Sequence, residues 1–319
     1  MSTLCLEQDT VEMRARYCQA LIEEAKVNPR LVVMDADTSA SMGTAPFYAT
    51  YPERAINCGI MEANAVGVAA GLSSTGFVPF VHAFGTFMSR RAYDQTFLSC
   101  AYQKLNVKLV GMDAGITATV NGGTHMPLED MGIMRCIPDM TVVEPADGAM
   151  LPYLVHHAAN VYGNFYLRFG RKKLMRVYGE NETFTVGKAK KLRDGRDAAV
   201  IACGILVYES LVAAELLRTE GVEITVLDMH TVKPIDANAV KEAARLCGVV
   251  VTAENHNVIG GLGSTVAEVL GERCPVPMER IGVKESFGEI GTQEYLMKKF
   301  GLTAGNIAQA VKRAMQRRN

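Results

Sequence analysis

The stretch NCGIMEANAVGVAAGL, residues 57–72, carries one carboxylate at the start of a run of small and apolar residues. The composition from Ile60 to Leu72 predicts a helix that is buried on most sides, and Gly59 gives it a flexible start. Glu62 is the only charged residue of the run, and a buried acid is costly unless another group pairs with it. Glu62 therefore either complements the positive end of the helix dipole or hydrogen-bonds a ligand nitrogen inside a protein interface.

Length and composition restrict the class of protein. A chain of 319 residues that is 49% hydrophobic favours two domains with substantial cores. The net charge of -1 gives no strong field for nucleic acid or an anionic membrane. Acidic residues interrupt the first dozen positions, which argues against a signal peptide, and no apolar run reaches the ~20 residues that span a bilayer. Eight scattered cysteines without a CxxC pair favour a reduced, cytoplasmic protein.

Short β-branched runs alternate with helical segments, which predicts mainly parallel α/β sheets. In the first half, strands are predicted at 31–35, 54–57, 77–84, 107–112, 141–145 and 165–169, with a surface loop at 40–53. The polar segment 179–197 is interpreted as a linker, and further strands follow at 198–204, 222–227, 249–252 and 278–283. The predicted fold class is α/β with two domains, 1–182 and 183–319, each a mainly parallel sheet flanked by helices.

Three features of the first domain lie where open α/β sheets bind ligands. They are Glu62, the aromatic group Phe84, Phe87 and Tyr93, and the loop Asn121-Gly122-Gly123-Thr124-His125. Glycines let a ligand approach the backbone closely, and a histidine can exchange a proton with a polar substrate. The alternatives are a loop histidine bonded to backbone and aromatic residues that only fill the core.

Two further stretches carry weaker signals. Arg168-Phe169-Gly170-Arg171 follows a predicted strand, and arginines there suit capture of phosphate or carboxylate, although a solvated pair is the alternative. Gly260-Gly261-Leu262-Gly263-Ser264 precedes a helix and is similar to an anion-binding turn. This turn lacks a P-loop lysine, so tight packing of strand and helix is the more common explanation, and His256 beside it is interpreted as structural.

Several motifs together resemble the transketolase family, specifically its pyrimidine-binding and C-terminal domains. The resemblance extends over essentially the whole chain. It rests on GIMEA (59–63), FGTF (84–87), AYDQ (92–95), GGTHMPLED (122–130), RCIPDM (135–140), SFGEIG (286–291) and KFGL (299–302). The combination is specific, whereas each motif by itself is not.

The resemblance implies roles for individual residues around thiamine diphosphate. Glu62 would hydrogen-bond N1′ of the aminopyrimidine and favour the imino tautomer that removes the C2 proton. The aromatic residues Phe84, Phe87 and Tyr93 would stack on the pyrimidine, and Asp37 lies where the family has an acid after its first strand. His125 would contact the sugar hydroxyls and act in catalysis. Arg171, with Arg168 as the next candidate, would hold the sugar phosphate.

Two departures from the family pattern have consequences. Asn121 stands where the family usually has the aspartate that recognises the C2 hydroxyl of the donor sugar, so the donor is expected to differ. The Gly-Asp-Gly motif with its later asparagine, which holds diphosphate and metal, is missing together with its domain. We therefore expect no metal ligand in this chain, and expect Mg²⁺ or another divalent cation to be held by a partner subunit.

The resulting prediction is the C-terminal subunit of a split transketolase. It would transfer a two-carbon ketol unit from a ketose phosphate to an aldose phosphate in pentose phosphate metabolism, within an α₂β₂ heterotetramer. The alternatives are half of a 1-deoxyxylulose-5-phosphate synthase, the β subunit of a 2-oxoacid dehydrogenase, and a regulatory paralogue without activity. The Thr-His-Met-Pro-Leu-Glu-Asp run favours transketolase over the dehydrogenase subunit.

Overall fold

A computed structural model describes residues 6–180 and 182–318. The first sheet has seven strands in the order β10-β5-β6-β4-β3-β1-β2. All its neighbours are parallel except β10, which runs antiparallel to β5. The strands are β1 Leu31–Asp35, β2 Ala55–Asn57, β3 Val78–Phe84, β4 Lys108–Met112, β5 Thr141–Val143, β6 Phe165–Phe169 and β10 Thr231–Lys233.

Helices cover this sheet because the crossover between two parallel strands needs a long connection. They are α1 Met13–Val27, α2 Ser39–Met42, α3 Ala45–Thr50, α4 Glu62–Ser74, α5 Gly85–Arg90, α6 Tyr93–Gln95, α7 Asp130–Arg135 and α8 Leu151–Asn160. A π-helical segment, Thr96–Tyr102, continues α6. Strands β1, β4 and β6 are buried along their whole length, which is the continuous apolar pattern of a sheet covered on both faces.

The second sheet has five strands in the order β12-β11-β8-β9-β7, with β7 antiparallel to β9. Its strands are β7 Lys190–Arg193, β8 Ala198–Ala202, β9 Ile224–Asp228, β11 Val250–Asn257 and β12 Met278–Val283. Its helices are α9 Leu206–Arg218, α10 Ala237–Cys247, α11 Leu262–Arg273, α12 Gln293–Phe300 and α13 Ala304–Gln316. The predicted α/β class with two mainly parallel sheets is confirmed.

Three local predictions differ from the structure. Residues 40–53, expected to be a loop, form α2, α3 and a 3₁₀ turn, since Pro46 and Pro52 suit the first turns of helices. The expected linker contains β7, which adds to the second sheet as an antiparallel edge. Strand β10, only three residues long, crosses from the second half of the chain into the first sheet, so the predicted boundary at 182/183 does not separate the two sheets completely.

Helix α4 is buried on one side only. Glu62, Ala65, Val66, Ala69, Ala70 and Ser73 face the interior, whereas Val68 is 38% exposed and the preceding Ile60 and Met61 are 71% and 60% exposed. The expectation that this helix is buried on most sides is therefore wrong for the single chain. Within the described residues, no helix is both long and apolar enough to cross a membrane.

Candidate active site

The candidate site lies at the carboxyl edge of the first sheet. In the central strands, Phe84, Met112 and Phe169 stand side by side. The residues that follow β4 and β6 are therefore neighbours, and Asp113 and Arg171 meet there. Crevices outside the carboxyl ends of parallel strands are where such sheets bind ligands.

Glu62 is the first residue of α4 and is only 5% exposed. The side chain of Met61, the residue before the helix, does not cap it, so the Glu62 carboxylate is the anion at the positive end of the helix dipole. The guanidinium of Arg91 donates to both carboxylate oxygens, with Nη1 3.2 Å from Oε1 and 3.4 Å from Oε2. The structure therefore places Glu62 at the positive end of the helix dipole and pairs it with Arg91, while a hydrogen bond from Glu62 to a ligand nitrogen stays a prediction.

Three rings form a cluster beside this pair. The ring centroids of Phe84 and Phe87 lie 5.2 and 4.9 Å from that of His125, and 6.0 Å from each other. All three pairs are edge-to-face, the favourable orientation for aromatic rings. The Cζ atom of Arg91 lies 3.8 Å from the Phe87 centroid, so a flat cation rests on this ring while it contacts Glu62.

Burial lowers the pKa of His125; Asp113 opposes this shift, and the Arg91 and Arg171 guanidinium groups reinforce it. The imidazole is consequently neutral at pH 7 and can both donate and accept a proton. Its Nδ1 lies 2.8 Å from Oγ1 of Thr124, a hydroxyl that can donate to this nitrogen or accept from it and therefore suits either tautomer.

Arg171 is held by a two-pronged ion pair with Asp113. Its Nε and Nη2 atoms each lie 2.7 Å from one oxygen of this carboxylate. The Arg171 side chain is 15% exposed and that of Asp113 is 1% exposed. The Cζ atom of Arg171 lies 5.1 Å from the ring centroid of Phe84, so this guanidinium is fixed at the edge of the ring cluster.

Arg168 is not brought to the site. Its side chain is completely buried and forms ion pairs of 2.7 Å with Asp130 and with Glu144. It also donates to the backbone oxygens of Pro127 and Asn255. The expectation that Arg168 contacts substrate is wrong in this structure, because β6 is covered on both faces and buried acids surround the guanidinium.

The structure places the three remaining predicted residues at other positions of the first domain. Asp37 follows β1 and exchanges hydrogen bonds with Asn57 at the end of β2, at 2.9 and 3.1 Å. Tyr93 packs its ring toward Phe97, with centroids 6.4 Å apart, on the α4 side of the sheet. Asn121 ends a 3₁₀ segment, Gly115–Asn121, four residues before His125 and is partly exposed.

Comparisons with known proteins agree with this geometry. Residues 9–176 match the family described as "Transketolase, pyrimidine binding domain" and residues 187–307 match "Transketolase, C-terminal domain". The chain belongs to the transketolase family. It is 50% identical to the 6-deoxy-6-sulfo-D-fructose transketolase subunit of Clostridium sp. (strain MSTE9), over 96% of this chain and 95% of the relative.

Two further similar proteins point the same way. A putative transketolase C-terminal section from Methanocaldococcus jannaschii is 40% identical and covers 96% of both chains. A solved structure described as "Split gene transketolase, inactive beta4 tetramer" superposes with a TM-score of 0.89 at 41% identity, over 98% of this chain and 100% of that one. The predicted family and transketolase function are confirmed, and the chain is similar over nearly its whole length to proteins described as one subunit or section of a transketolase.

The glycines of the transketolase motif around His125 serve the domain interface. A Cβ atom on Gly123 would lie 2.1 Å from the backbone oxygen of Gly288, and one on Gly122 would lie 2.8 Å from Cγ1 of Ile290. Gly288 and Ile290 of the second domain therefore pack directly on the loop 121–125. We expected these glycines to let a ligand approach the backbone. In the structure they let the second domain approach it instead.

The glycine turn before α11 has no free donors for an anion. The amides of Leu262 and Gly263 donate to the Glu254 carboxylate at 2.7 and 2.8 Å, and a Cβ atom on Gly261 would lie 2.1 Å from Glu254 Oε2. The tight-packing interpretation of this turn is thus correct. His256 is completely buried and accepts from the amide of Gly132, in agreement with a structural role.

Sequence reasoning missed Arg91, Asp113 and Asn57. Asp113 carried a detectable signal, since it directly follows a buried strand of a parallel sheet. Arg91 lies within the motif run 84–95, but nothing in its spacing indicates which acid it meets. Among the described residues, no group of three or more His, Cys, Asp or Glu side chains is arranged to hold a metal ion.

Proposed function

We propose that this chain supplies the aminopyrimidine half of a thiamine diphosphate site and carries out two-carbon ketol transfer together with a partner subunit that holds the diphosphate. The observation that carries the proposal is the buried Glu62 carboxylate beside the face of Phe87. That pair already accommodates a flat, nitrogen-containing cation, the guanidinium of Arg91. An aminopyrimidine needs the same two contacts, a carboxylate for its ring nitrogen and an aromatic face for its π system.

In this proposal, Glu62 and the residues of the ring cluster have different roles. Glu62 holds the pyrimidine nitrogen and shares its proton, and Phe87 supports the ring. Thiamine diphosphate, when bound, supplies the carbon centre that carries the ketol unit. His125, neutral at pH 7, contacts the sugar hydroxyls and moves protons to and from them. We retain Phe84 as the wall between the cofactor and Arg171, and keep Tyr93 and Asp37 as outer members of the cofactor site.

The exposed apolar face before and along α4 supports a large contact with the partner. Ile60, Met61 and Val68 are exposed there, and Val120 and Phe287 elsewhere in the chain are 67% and 98% exposed. Obligate interfaces are large and apolar, so the α4 face is the part of the surface that we assign to the partner. We propose an α₂β₂ assembly in which the partner binds the diphosphate and Mg²⁺ or another divalent cation. The similar split structure is described as an inactive tetramer of β chains, which supports the requirement for an α subunit.

For the substrate, we propose a ketose donor with a terminal anionic group. Arg171 lies beside the ring cluster, so we assign it to this group, whereas the buried Arg168 is no longer a candidate. The relative that is 50% identical is named for 6-deoxy-6-sulfo-D-fructose. We therefore propose a sulfonated ketose as a candidate donor, in addition to the phosphorylated sugars of pentose phosphate metabolism. Asn121 is proposed to contact the donor's C2 hydroxyl, and its amide can donate as well as accept.

Cytoplasmic location is kept as a prediction that the free cysteines of the described ranges support.

Reconstitution tests the proposal. The chain is purified alone and together with a chain that carries the diphosphate-binding domain, and ketol transfer is assayed with thiamine diphosphate and Mg²⁺. We expect no turnover by this chain alone and turnover by the complex, with the donors fructose 6-phosphate, xylulose 5-phosphate and 6-deoxy-6-sulfofructose compared by kcat/KM. Glu62→Gln in the complex should reduce kcat by about 10²–10⁴-fold. Turnover by the isolated chain, or a Glu62→Gln complex within about tenfold of wild type, would contradict the assignment.

A further inference from the structure

The guanidinium of Arg91 occupies the position that the proposed function reserves for an aminopyrimidine. Its Nη1 atom donates to both oxygens of Glu62, and its Cζ atom lies 3.8 Å from the Phe87 ring centroid. A guanidinium and a protonated aminopyrimidine share three properties: a flat shape, N–H donors at the edge and a delocalised positive charge over the face. The side chain therefore satisfies the same two partners that the cofactor ring requires.

Burial is distributed unequally within the pair. The Glu62 side chain is 6% exposed and that of Arg91 is 51% exposed. A carboxylate at that depth without a partner is unfavourable, whereas a half-exposed guanidinium can turn into water at little cost. One partner is thus fixed and needs a cation or donor, and the other is free to leave.

We propose that Arg91 is a built-in placeholder for the aminopyrimidine of thiamine diphosphate. It keeps Glu62 paired and the face of Phe87 covered in the cofactor-free protein, and it swings out when the cofactor ring takes both contacts. This inference rests on the proposed function. It assigns Arg91 as a competitor of the cofactor rather than a ligand of it.

A competitor has a thermodynamic signature that a ligand does not have. Removing the guanidinium withdraws stabilisation from the cofactor-free state and leaves the bound state, in which the contact is already broken, unaffected. By linkage, the loss of stability without cofactor equals the gain in cofactor affinity. Because the Arg91 side chain is half-exposed, removing it should lower the Kd of the cofactor roughly three- to tenfold.

The test compares Arg91→Gln with Arg90→Gln in the complex with the partner subunit. Arg90 is a matched control, since its side chain is also 51% exposed and pairs with a different acid, Glu129, at 3.1 Å. Calorimetric titration with thiamine diphosphate and Mg²⁺ gives Kd, and thermal unfolding with and without cofactor gives the stability of each state. We expect Arg91→Gln to bind the cofactor roughly three- to tenfold more tightly and to unfold at a lower temperature only without cofactor. Arg90→Gln should keep the wild-type Kd.

A double-mutant cycle localises the effect to the pair. In a Glu62→Gln background the acid is gone and only the contact with Phe87 remains, so Arg91→Gln should lower the stability of the cofactor-free protein less than it does in the wild-type background. Arg91→Lys keeps the charge without the flat fork and is expected to fall between wild type and Arg91→Gln in Kd. Circular dichroism of each variant verifies that the fold is retained.

The outcomes separate this inference from the function on which it rests. If the wild-type complex binds no thiamine diphosphate, the proposed function fails and the placeholder fails with it. If wild type binds and Arg91→Gln binds equally or more weakly, only the placeholder is overturned, and weaker binding makes Arg91 a cofactor ligand. Tighter binding by Arg90→Gln to the same degree would also overturn it, because the effect would then be one of net charge.

Discussion

Arg168 and Arg91 each meet buried acid in the first domain, yet their surroundings are opposite. Arg168 and both of its acidic partners are essentially without exposure, and two backbone oxygens complete its contacts. Arg91 meets one buried acid with a half-exposed side chain and rests on one ring. Arg171 lies between them, with 15% exposure against a buried Asp113.

The difference shows which arginine can be replaced by a ligand. Each nitrogen of the Arg168 guanidinium faces an oxygen inside the fold, so its charge holds the segment 127–130 against strand β11. Arg91 makes contacts that a flat cofactor ring can also make. Arg171 also has an oxygen partner for each nitrogen, including the backbone oxygen of Ser41, but 15% of its side chain stays exposed beside the ring cluster. Ion pairs with the same chemistry are therefore structural or exchangeable according to how much of the arginine faces water.

The largest effect is expected when the fixed arginine is removed. Arg168→Met should lower the free energy of unfolding by about 3–5 kcal/mol, because Asp130 and Glu144 are left as buried acids without a cation. Denaturant unfolding of the variant measures this loss. Arg218→Met is the exposed control, since Arg218 pairs with Glu215 at 55% exposure on both sides, and its denaturation midpoint should stay close to that of wild type. Equal losses for the two variants would remove the distinction between fixed and exchangeable arginines.

The intermediate arginine should affect substrate more than stability. Arg171→Gln removes a charged hydrogen-bond donor worth ~1.5–3 kcal/mol, so KM for anionic ketoses should rise by roughly tenfold or more. Unphosphorylated analogues should be affected much less. Lys172→Gln is the neighbouring control, as Lys172 is exposed and donates to Thr119. If both sugar classes suffer equally, Arg171 only holds Asp113 in place.

The smallest effect concerns Glu254, the acid that binds the start of α11 near the Arg168 cluster. Burial raises the pKa of Glu254 to about 7, the α11 amides and Arg168 oppose the shift, and Glu144 adds to it. Because the folded pKa lies above the unfolded one, this acid lowers stability as pH rises from about 4.3 to about 7 and not further above that. Glu254→Gln lacks the titration, so its stability relative to wild type should improve by at least about 1 kcal/mol between about pH 5 and pH 8. Unfolding free energies at the two pH values measure it, and a parallel pH dependence of both proteins would contradict the prediction.

Much of the fold was predictable because buried parallel strands are short apolar runs. The predicted strands at 31–35, 165–169 and 278–283 coincide with β1, β6 and β12. Strand β10 was not predictable, because three residues carry no periodicity and its partner lies in the other half of the chain. The helices within 40–53 were missed because their mixed composition suggests a loop, although their two prolines also favour the first turn of a helix.

The candidate site was predictable for residues that belong to a sequence motif and also lie at the end of a strand, at the start of a helix or in a loop. Glu62, Phe84, Phe87 and His125 stand out in the sequence, and the structure places the two rings and the histidine within 6.0 Å of one another. The resemblance ranked Arg171 above Arg168 for the substrate anion, but the burial of Arg168 could not be predicted from sequence. That burial depends on Asp130 and Glu144, which meet Arg168 from other segments of the folded chain.

Because β10 belongs to the first sheet, a cut of the chain between the two domains removes one strand from that sheet. A fragment that ended at residue 182 would leave the outer edge of β5, Thr141–Val143, without the strand that pairs with it. The unpaired backbone groups of this edge would then face solvent. Genetic exchange between members of this family would meet the same obstacle, since a first domain from one parent would have to accept residues 231–233 of the other. Recombination that moves both domains together avoids this mismatch.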